Sequence, residues 1–118
     1  MTVVDWELTR RGFPATDVAQ FAAESWLLER FRKGKPILKP FLQAYVTAGP
    51  ELVDENFIRR AAVHWGCHIA FWGSQTGWTS DAAENKELVR TGREMIQWAL
   101  SSDWENIKKS PLGPLFKS

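Results

Sequence analysis

Cysteine is almost absent from this sequence, since Cys67 is the only one in 118 residues. No disulfide can form within the chain, and nothing in the composition requires an oxidising compartment. Charge of one sign is not in excess either, because 15 basic and 14 acidic residues give a formal net charge of +1. Because the charges nearly cancel, the protein has no overall electrostatic attraction to nucleic acid or to an anionic membrane. We therefore expect a cytoplasmic protein without a nucleic-acid or membrane partner.

A long apolar run is also missing. Residues 61–80 carry no formal charge, but they include His64 and His68, and the stretch 73–77 is polar. Because a membrane-spanning helix needs about 20 mainly apolar residues, this segment predicts a buried helix followed by a loop. The first residues contain neither the basic nor the apolar part of a secretory signal.

The remaining composition is typical of one folded domain covering residues 1–118. Hydrophobic residues make up 44% and charged residues 25% of the chain, which are ordinary globular proportions. Apolar residues recur at helical spacing in four segments, bounded by glycine, proline and capping residues. The predicted helices span residues 16–33, 36–48, 54–72 and 81–100, the last starting with a capping box of Asp81 and Glu84.

The two ends of the chain add further predictions. Residues 2–6 are β-branched and aromatic, which indicates a short strand. Residues 101–118 are expected to form a short helical turn and a tail packed over the core. The sequence therefore predicts a mainly α fold, a bundle of four to five helices with one short N-terminal β-strand.

All four helices have predicted core positions. In the second they are Phe41, Leu42, Tyr45 and Val46, and in the fourth they are Leu88, Val89, Met95, Ile96 and Leu100. In the first, the inward face is expected to hold Val18, Phe21, Ala22, Trp26 and Leu28. In the third, the second half is apolar on nearly every side, which is typical of a central helix surrounded by others.

A possible metal site lies in the third predicted helix. His64, Cys67 and His68 share one helix face, and histidine and cysteine are zinc ligands. The glutamate of the H-E-x-x-H motif is replaced by Trp65, and no fourth ligand follows nearby. The spacing therefore favours core or near-core residues, with a zinc-binding helical protein as an open alternative.

Two other clusters are better explained by packing and solvation than by ligands. Five basic residues within ten positions could bind phosphate, but they are also expected at a solvated helix end. They are Arg30, Arg32, Lys33, Lys35 and Lys39. Seven tryptophans could form a ligand cage, but their large apolar area favours packing between helices.

Asp5 and Glu7 flank Trp6 near the end of the predicted strand. Residues two apart in a strand point to the same side. Two carboxylates on one side could hold a hard divalent cation through oxygen. On spacing alone, a solvated turn is the simpler explanation.

A family resemblance strengthens the metal interpretation. Residues 2–8 read T-V-V-D-W-E-L and residues 12–19 read G-F-P-A-T-D-V-A. These segments resemble the V-I-D-W-E and G-D-P-A-x-D-L-A motifs of the aminoglycoside phosphotransferase and choline kinase-like family, in the same order and spacing. The motifs cover about the first twenty residues, and the helical stretch that follows resembles that family's C-terminal lobe.

The resemblance implies roles for three residues. Asp5 would match the aspartate that holds Mg²⁺ on the phosphates of ATP, and Glu7 would match the neighbouring glutamate of this cofactor-binding segment. Asp17 would support the active-site loop from the start of the first helix. Phe13 departs from the family, which usually has aspartate there, so a polar contact at that point is expected to be absent.

Other motifs of such a kinase do not occur in these residues. No histidine precedes Asp5 and no glycine precedes Gly12, so there is no H-G-D-x-x-x-x-N catalytic loop and no glycine-rich phosphate loop before them. We therefore expect the C-terminal part of a small-molecule phosphotransferase, inactive by itself. The family implies Mg²⁺ and ATP as cofactors, but we expect neither to be bound by this chain alone, and residual metal or nucleotide binding stays open. No catalytic residue is assigned, and the acceptor stays open.

The alternative is a non-catalytic helical module that self-associates or binds a protein partner. The isolated strand at 2–6 would leave unpaired backbone groups at both edges. We expect it to pair with a second copy, giving a homodimer, or to pack on the helices.

Overall fold

The computed structural model describes residues 14–73 and 77–116, and this part of the chain is mainly helical, as the sequence predicts. Its five α-helices are α1 (Pro14–Phe31), α2 (Leu38–Ala48), α3 (Glu55–Cys67), α4 (Ala82–Leu100) and α5 (Trp104–Lys108). A π-helix over His68–Gly73, called the π segment below, continues α3 directly. Short 3₁₀ turns cover Pro50–Leu52 and Gly113–Leu115. The predicted strand at 2–6 lies outside the described residues.

Aspartates begin three of the helices. Asp54 caps α3 by accepting a hydrogen bond from the Phe57 N–H at 2.8 Å. Asp81 caps α4 by accepting from the N–H groups of residues 83 and 84, and Asp103 caps α5. A capping side chain satisfies backbone donors that have no partner within the helix, so these short polar residues fix where each helix starts.

The second half of the predicted capping box is not formed. The backbone N–H of Asp81 donates to the Thr79 hydroxyl at 3.1 Å. Glu84 is instead 3.3 Å from the Arg30 guanidinium and so joins α4 to the end of α1. A tertiary contact has replaced the local one.

Helix α3 is the central element of the described fold. It packs against α1 on one side and α4 on the other. Trp65 and Ile69 on α3 and its continuation are fully buried, and the Trp65 ring meets the Trp26 ring of α1 edge to face at 5.4 Å. The prediction of a central third helix is confirmed around Trp65 and Ile69.

Two glycines allow α3 and α4 to cross closely. A Cβ placed at Gly66 would lie 2.5 Å from the carbonyl oxygen of Gly92 and 2.7 Å from Ile96. A Cβ at Gly92 would contact the Gly66 carbonyl oxygen in turn and come within 2.8 Å of Ala70. Backbone therefore packs on backbone here, which only residues without a Cβ permit.

The C-terminal residues close the core over α2. The 3₁₀ turn at Gly113–Leu115 packs against α2, and Leu42, Ile107, Leu112 and Leu115 are fully buried. The predicted helical turn and packed tail are confirmed as far as residue 116.

Some predicted core positions are wrong. Phe21 and Leu28 of α1 are 42% and 44% exposed, although Phe21 contacts the Phe41 ring at 4.4 Å. Leu100, at the end of α4, is 71% exposed, because the helix ends there beyond its contacts with the core. In the π segment, Ile69 and Gly73 are buried but Phe71 and Trp72 are more than half exposed. Periodicity identifies an apolar face, but the neighbouring elements decide how much of that face is covered.

No helix within residues 14–73 and 77–116 is both long enough and apolar enough to cross a lipid bilayer.

Candidate functional site

The candidate site is a groove between α1 and the end of α3, with a volume of about 830 Å³. Three α1 side chains spaced four residues apart, and Arg32 directly after the helix, line one wall. The α1 residues are Gln20, Glu24 and Leu28. His64 of α3 and His68 of the π segment, also four apart, line the facing wall. Helical side chains at this spacing share one face, and we call the space between the two walls the α1–α3 groove.

Glu24 and His68 meet across the groove. The Glu24 Oε1 lies 3.4 Å from the His68 Nε2, within the distance of an ion pair when the imidazole is protonated. The His68 side chain is 11% exposed, whereas Glu24 is 48% exposed. One side of the Glu24 carboxylate therefore faces His68, and the other side is open to solvent or a ligand.

His64 is held toward its neutral form. Partial burial lowers the pKa of His64 below its ordinary value of 6.5, and nearby His68 lowers it further. Asp17, in the first turn of α1, acts in the opposite direction. A neutral imidazole has both a donor and an acceptor nitrogen, so His64 can bind a hydroxyl group as well as an amine.

Arg32 closes one end of the groove. Its guanidinium donates to the carbonyl oxygens of Gly77 and Trp78 at 3.2 and 3.0 Å and lies 5.0 Å from the centre of the Trp78 ring. These contacts fix the loop before α4 against the end of α1. Trp78 and Trp72 supply aromatic surface to the same groove.

The groove therefore combines one partly open carboxylate, two imidazoles, an amide and aromatic walls. Its size is that of small-molecule pockets, although five of its eight lining residues are polar or charged, the Arg32 guanidinium among them. The arrangement suits a ligand that has both a hydrogen-bonding or cationic group and a ring.

The three predicted zinc ligands border one small hollow next to the groove. His64, Cys67 and His68 line it together with Phe71 and Ile96, while His64 and His68 also face the α1–α3 groove and Cys67 is exposed. Among residues 14–73 and 77–116, no group of three His, Cys, Asp or Glu side chains could hold a metal ion. This part of the structure gives no support to a zinc site.

The residues predicted to hold Mg²⁺, Asp5 and Glu7, lie outside the described residues, as does Trp6. Their role stays a prediction. Asp17 is described: it is exposed in the first turn of α1, where a negative charge suits the positive end of the helix dipole.

The predicted basic cluster is partly used within the fold. Arg30 pairs with Glu84 and lies 5.2 Å from the Trp26 ring, and Arg32 binds the loop before α4 as described above. Both side chains are nevertheless exposed at the end of α1, in agreement with the predicted solvated helix end for these two of the five basic residues.

The tryptophans of the described chain also pack largely between elements. Trp65 is fully buried, and Trp26, Trp78, Trp98 and Trp104 lie partly buried against the core. Trp72, at 53% exposure, is the exception within this part of the chain.

Sequence reasoning missed Glu24 and Gln20. They lie four positions apart and so share one face of α1, which was a readable signal. The residue that Glu24 meets, His68, is 44 positions further along the chain, and the sequence alone does not show that α1 faces the end of α3.

One comparison with known proteins found a relative. Over 100 residues the chain is 28% identical to a 4-hydroxytryptamine kinase from Psilocybe cyanescens, and the match covers 82% of this chain and 27% of that kinase. No family model matches the chain, and no solved structure matches it significantly. The chain is thus similar to a part of a kinase and spans about a quarter of that relative's length.

Proposed function

We propose that this chain is the helical, acceptor-binding part of a small-molecule phosphotransferase resembling the aminoglycoside phosphotransferase and choline kinase-like family. The observation that supports it best is the similarity to a kinase over 82% of the chain. The D-W-E and G-x-P-A-x-D motifs in the first twenty residues, and the helical architecture that follows, agree with it. We place this activity in the cytoplasm.

In this proposal Asp5 is the Mg²⁺ ligand and Glu7 assists it. Carboxylate oxygens are the donors that Mg²⁺ prefers, so the residue types fit the ion. When bound, Mg²⁺ would offset the charge of the ATP phosphates. Because these 118 residues contain no H-G-D-x-x-x-x-N segment, we propose that they do not transfer phosphate by themselves.

The acceptor would bind in the α1–α3 groove. Glu24 offers a partly open carboxylate to a cationic amine, while neutral His64 offers hydrogen bonds to a hydroxyl group. Trp72 and Trp78 flank these groups. A hydroxylated aromatic amine matches this combination, and 4-hydroxytryptamine, named for the relative, is a suitable probe.

The metal proposal is tested with Mn²⁺ as a paramagnetic substitute for Mg²⁺. In a millimolar titration followed by amide NMR, which detects weak binding, line broadening should centre on residues 2–8. Asp5→Ala should remove this broadening, because the main carboxylate ligand is lost. Glu51→Gln, at an exposed carboxylate on the Pro50–Leu52 turn, is the matched control and should leave the broadening unchanged. Broadening that is absent, or that survives Asp5→Ala, would refute the metal assignment.

The acceptor proposal is tested with 4-hydroxytryptamine and the same readout. The amine should shift resonances of α1 and of residues 64–73, and Glu24→Gln should weaken binding about tenfold, as expected for loss of one charge-assisted hydrogen bond. Glu51→Gln again serves as the control. Equal binding by wild type and Glu24→Gln would show that Glu24 does not recognise the amine, whatever the outcome at Asp5.

Self-association remains the second candidate because several large apolar side chains are exposed. Leu52, Phe71 and Leu100 have exposed fractions of 59%, 54% and 71%. Sedimentation velocity between about 10 and 500 μM, around the range where weak dimers form, distinguishes the two. A concentration-dependent sedimentation coefficient together with silent Mn²⁺ and amine titrations would favour the non-catalytic module.

A further inference from the structure

A second cleft lies on the opposite side of α1 from the α1–α3 groove. It has a volume of about 940 Å³ and lies between α1, α2 and the C-terminal residues 108–116. Trp26 and Glu29 line it from α1, and the helical repeat of 3.6 residues places them about half a turn from the stripe of residues 20–32 described above. The two cavities share no lining residue, so this C-terminal cleft is a separate site.

The charges of the C-terminal cleft favour an anion. Its charged lining residues are Glu29, Lys39 and Lys108. The Glu29 carboxylate already accepts the Leu38 backbone N–H at 3.1 Å, where it fixes the start of α2. Glu29 keeps its negative charge, so the three groups together carry a net charge of +1, and the two ammonium groups are the ones that can donate to an anion.

The two ammonium groups are only weakly engaged. Lys39 is exposed, and within residues 14–73 and 77–116 it forms no ion pair. Lys108 lies 3.6 Å from Glu105, whose side chain is 80% exposed. An exposed pair of this kind contributes little to stability, so a bound anion can replace it. The Gln43 side chain, also in the lining, adds an amide donor.

The cleft also has aromatic walls. Trp26 and Phe116 line it from α1 and the C-terminal residues, and the Lys108 Nζ lies 5.5 Å from the Phe116 ring centre. Ring surface beside two cations suits a flat ligand that carries a negative group at its edge. A small, fully hydrated anion would leave this apolar surface unused.

We infer that the C-terminal cleft binds a planar aromatic anion, with Lys39 and Lys108 on its carboxylate or phosphate and Trp26 and Phe116 against its ring. This site does not depend on the proposed kinase function. Its ligand has the opposite charge from the amine assigned to the α1–α3 groove, so the chain would bind two classes of small molecule on two sides of one helix.

The test is a set of titrations followed by amide NMR. Indole-3-acetate and phenyl phosphate represent the two anionic groups, and tryptamine is the cationic counterpart of the first. At least one anion should shift resonances of residues 38–47 and 108–116, and tryptamine should not. The double variant Lys39→Gln/Lys108→Gln should weaken anion binding at least about tenfold, while Lys86→Gln, an exposed lysine of α4, should have no effect.

Each outcome decides a different part of the inference. Binding of one anion and not the other identifies the negative group. If neither anion shifts cleft resonances, if tryptamine binds there equally well, or if the double variant binds like wild type, the inference is wrong. Both lysines are exposed, so the double variant is expected to fold, and its spectrum without ligand verifies this.

Discussion

His64 and His68 line the same groove, but the surroundings of His64 specifically oppose its protonation. Partial burial and neighbouring His68 lower the pKa of His64 below 6.5. The folded chain therefore binds fewer protons at this position than the unfolded chain when the pH falls through this range. Stability linked to His64 is fully present above about pH 6.5 and is lost as the pH falls toward the lowered folded pKa.

His64→Gln should reduce this pH dependence because glutamine has no proton to gain. Urea midpoints measured at pH 7.5 and 5.5 should fall more between the two values for wild type than for His64→Gln. Equal falls in the two proteins would show that the groove does not keep His64 neutral.

The Glu24 and His68 pair shows the limit of sequence reasoning for single residues. The sequence shows that His64 and His68 share one helix face, but it groups them with Cys67, either as core or near-core residues or as an alternative zinc site. The side chain that His68 actually meets comes from α1 and is identified only by the packing of the two helices.

Among the contacts between helices, the crossing of α3 and α4 is sensitive to side-chain size at Gly66 and Gly92. Gly92→Ala should destabilise the chain by about 1–3 kcal/mol, because the added methyl group would contact the Gly66 carbonyl and force the helices apart. Urea denaturation measures this change. Gly73→Ala is the matched control, since a Cβ there would meet its nearest atom at an ordinary 3.6 Å.

Alanine is otherwise favoured over glycine within a helix by roughly 0.5–1 kcal/mol. The control should therefore be neutral or slightly stabilising, whereas Gly92→Ala should be destabilising. A neutral Gly92→Ala variant would mean that the helices do not cross as closely as described.

Helix positions were largely readable from the sequence because they depend on local chemistry. Asp54 and Asp81 begin α3 and α4 at or next to the predicted starts, and prolines and glycines separate the helices where expected. The π segment was missed, since no residue pattern distinguishes π from α turns here. The exposure of Phe71 and Trp72 also depends on which neighbours are present, and periodicity does not supply that information.

For the whole molecule, the mainly helical fold was predicted correctly, whereas the C-terminal cleft was not anticipated. The cleft forms because residues 108–116 fold back over α2, a contact between segments about 70 positions apart. The link to a kinase came from the first twenty residues, and the similarity to a known kinase over 100 residues agrees with it.

The central claim is that the D-W-E segment is part of a metal–nucleotide site next to the helical domain. Anomalous diffraction from crystals of the chain soaked in Mn²⁺ tests it most directly. We predict a manganese peak within about 2.0–2.3 Å of an Asp5 carboxylate oxygen, close to the start of α1 at Pro14. A structure with Asp5 buried within the helical core, distant from α1 and without a peak, would contradict the claim.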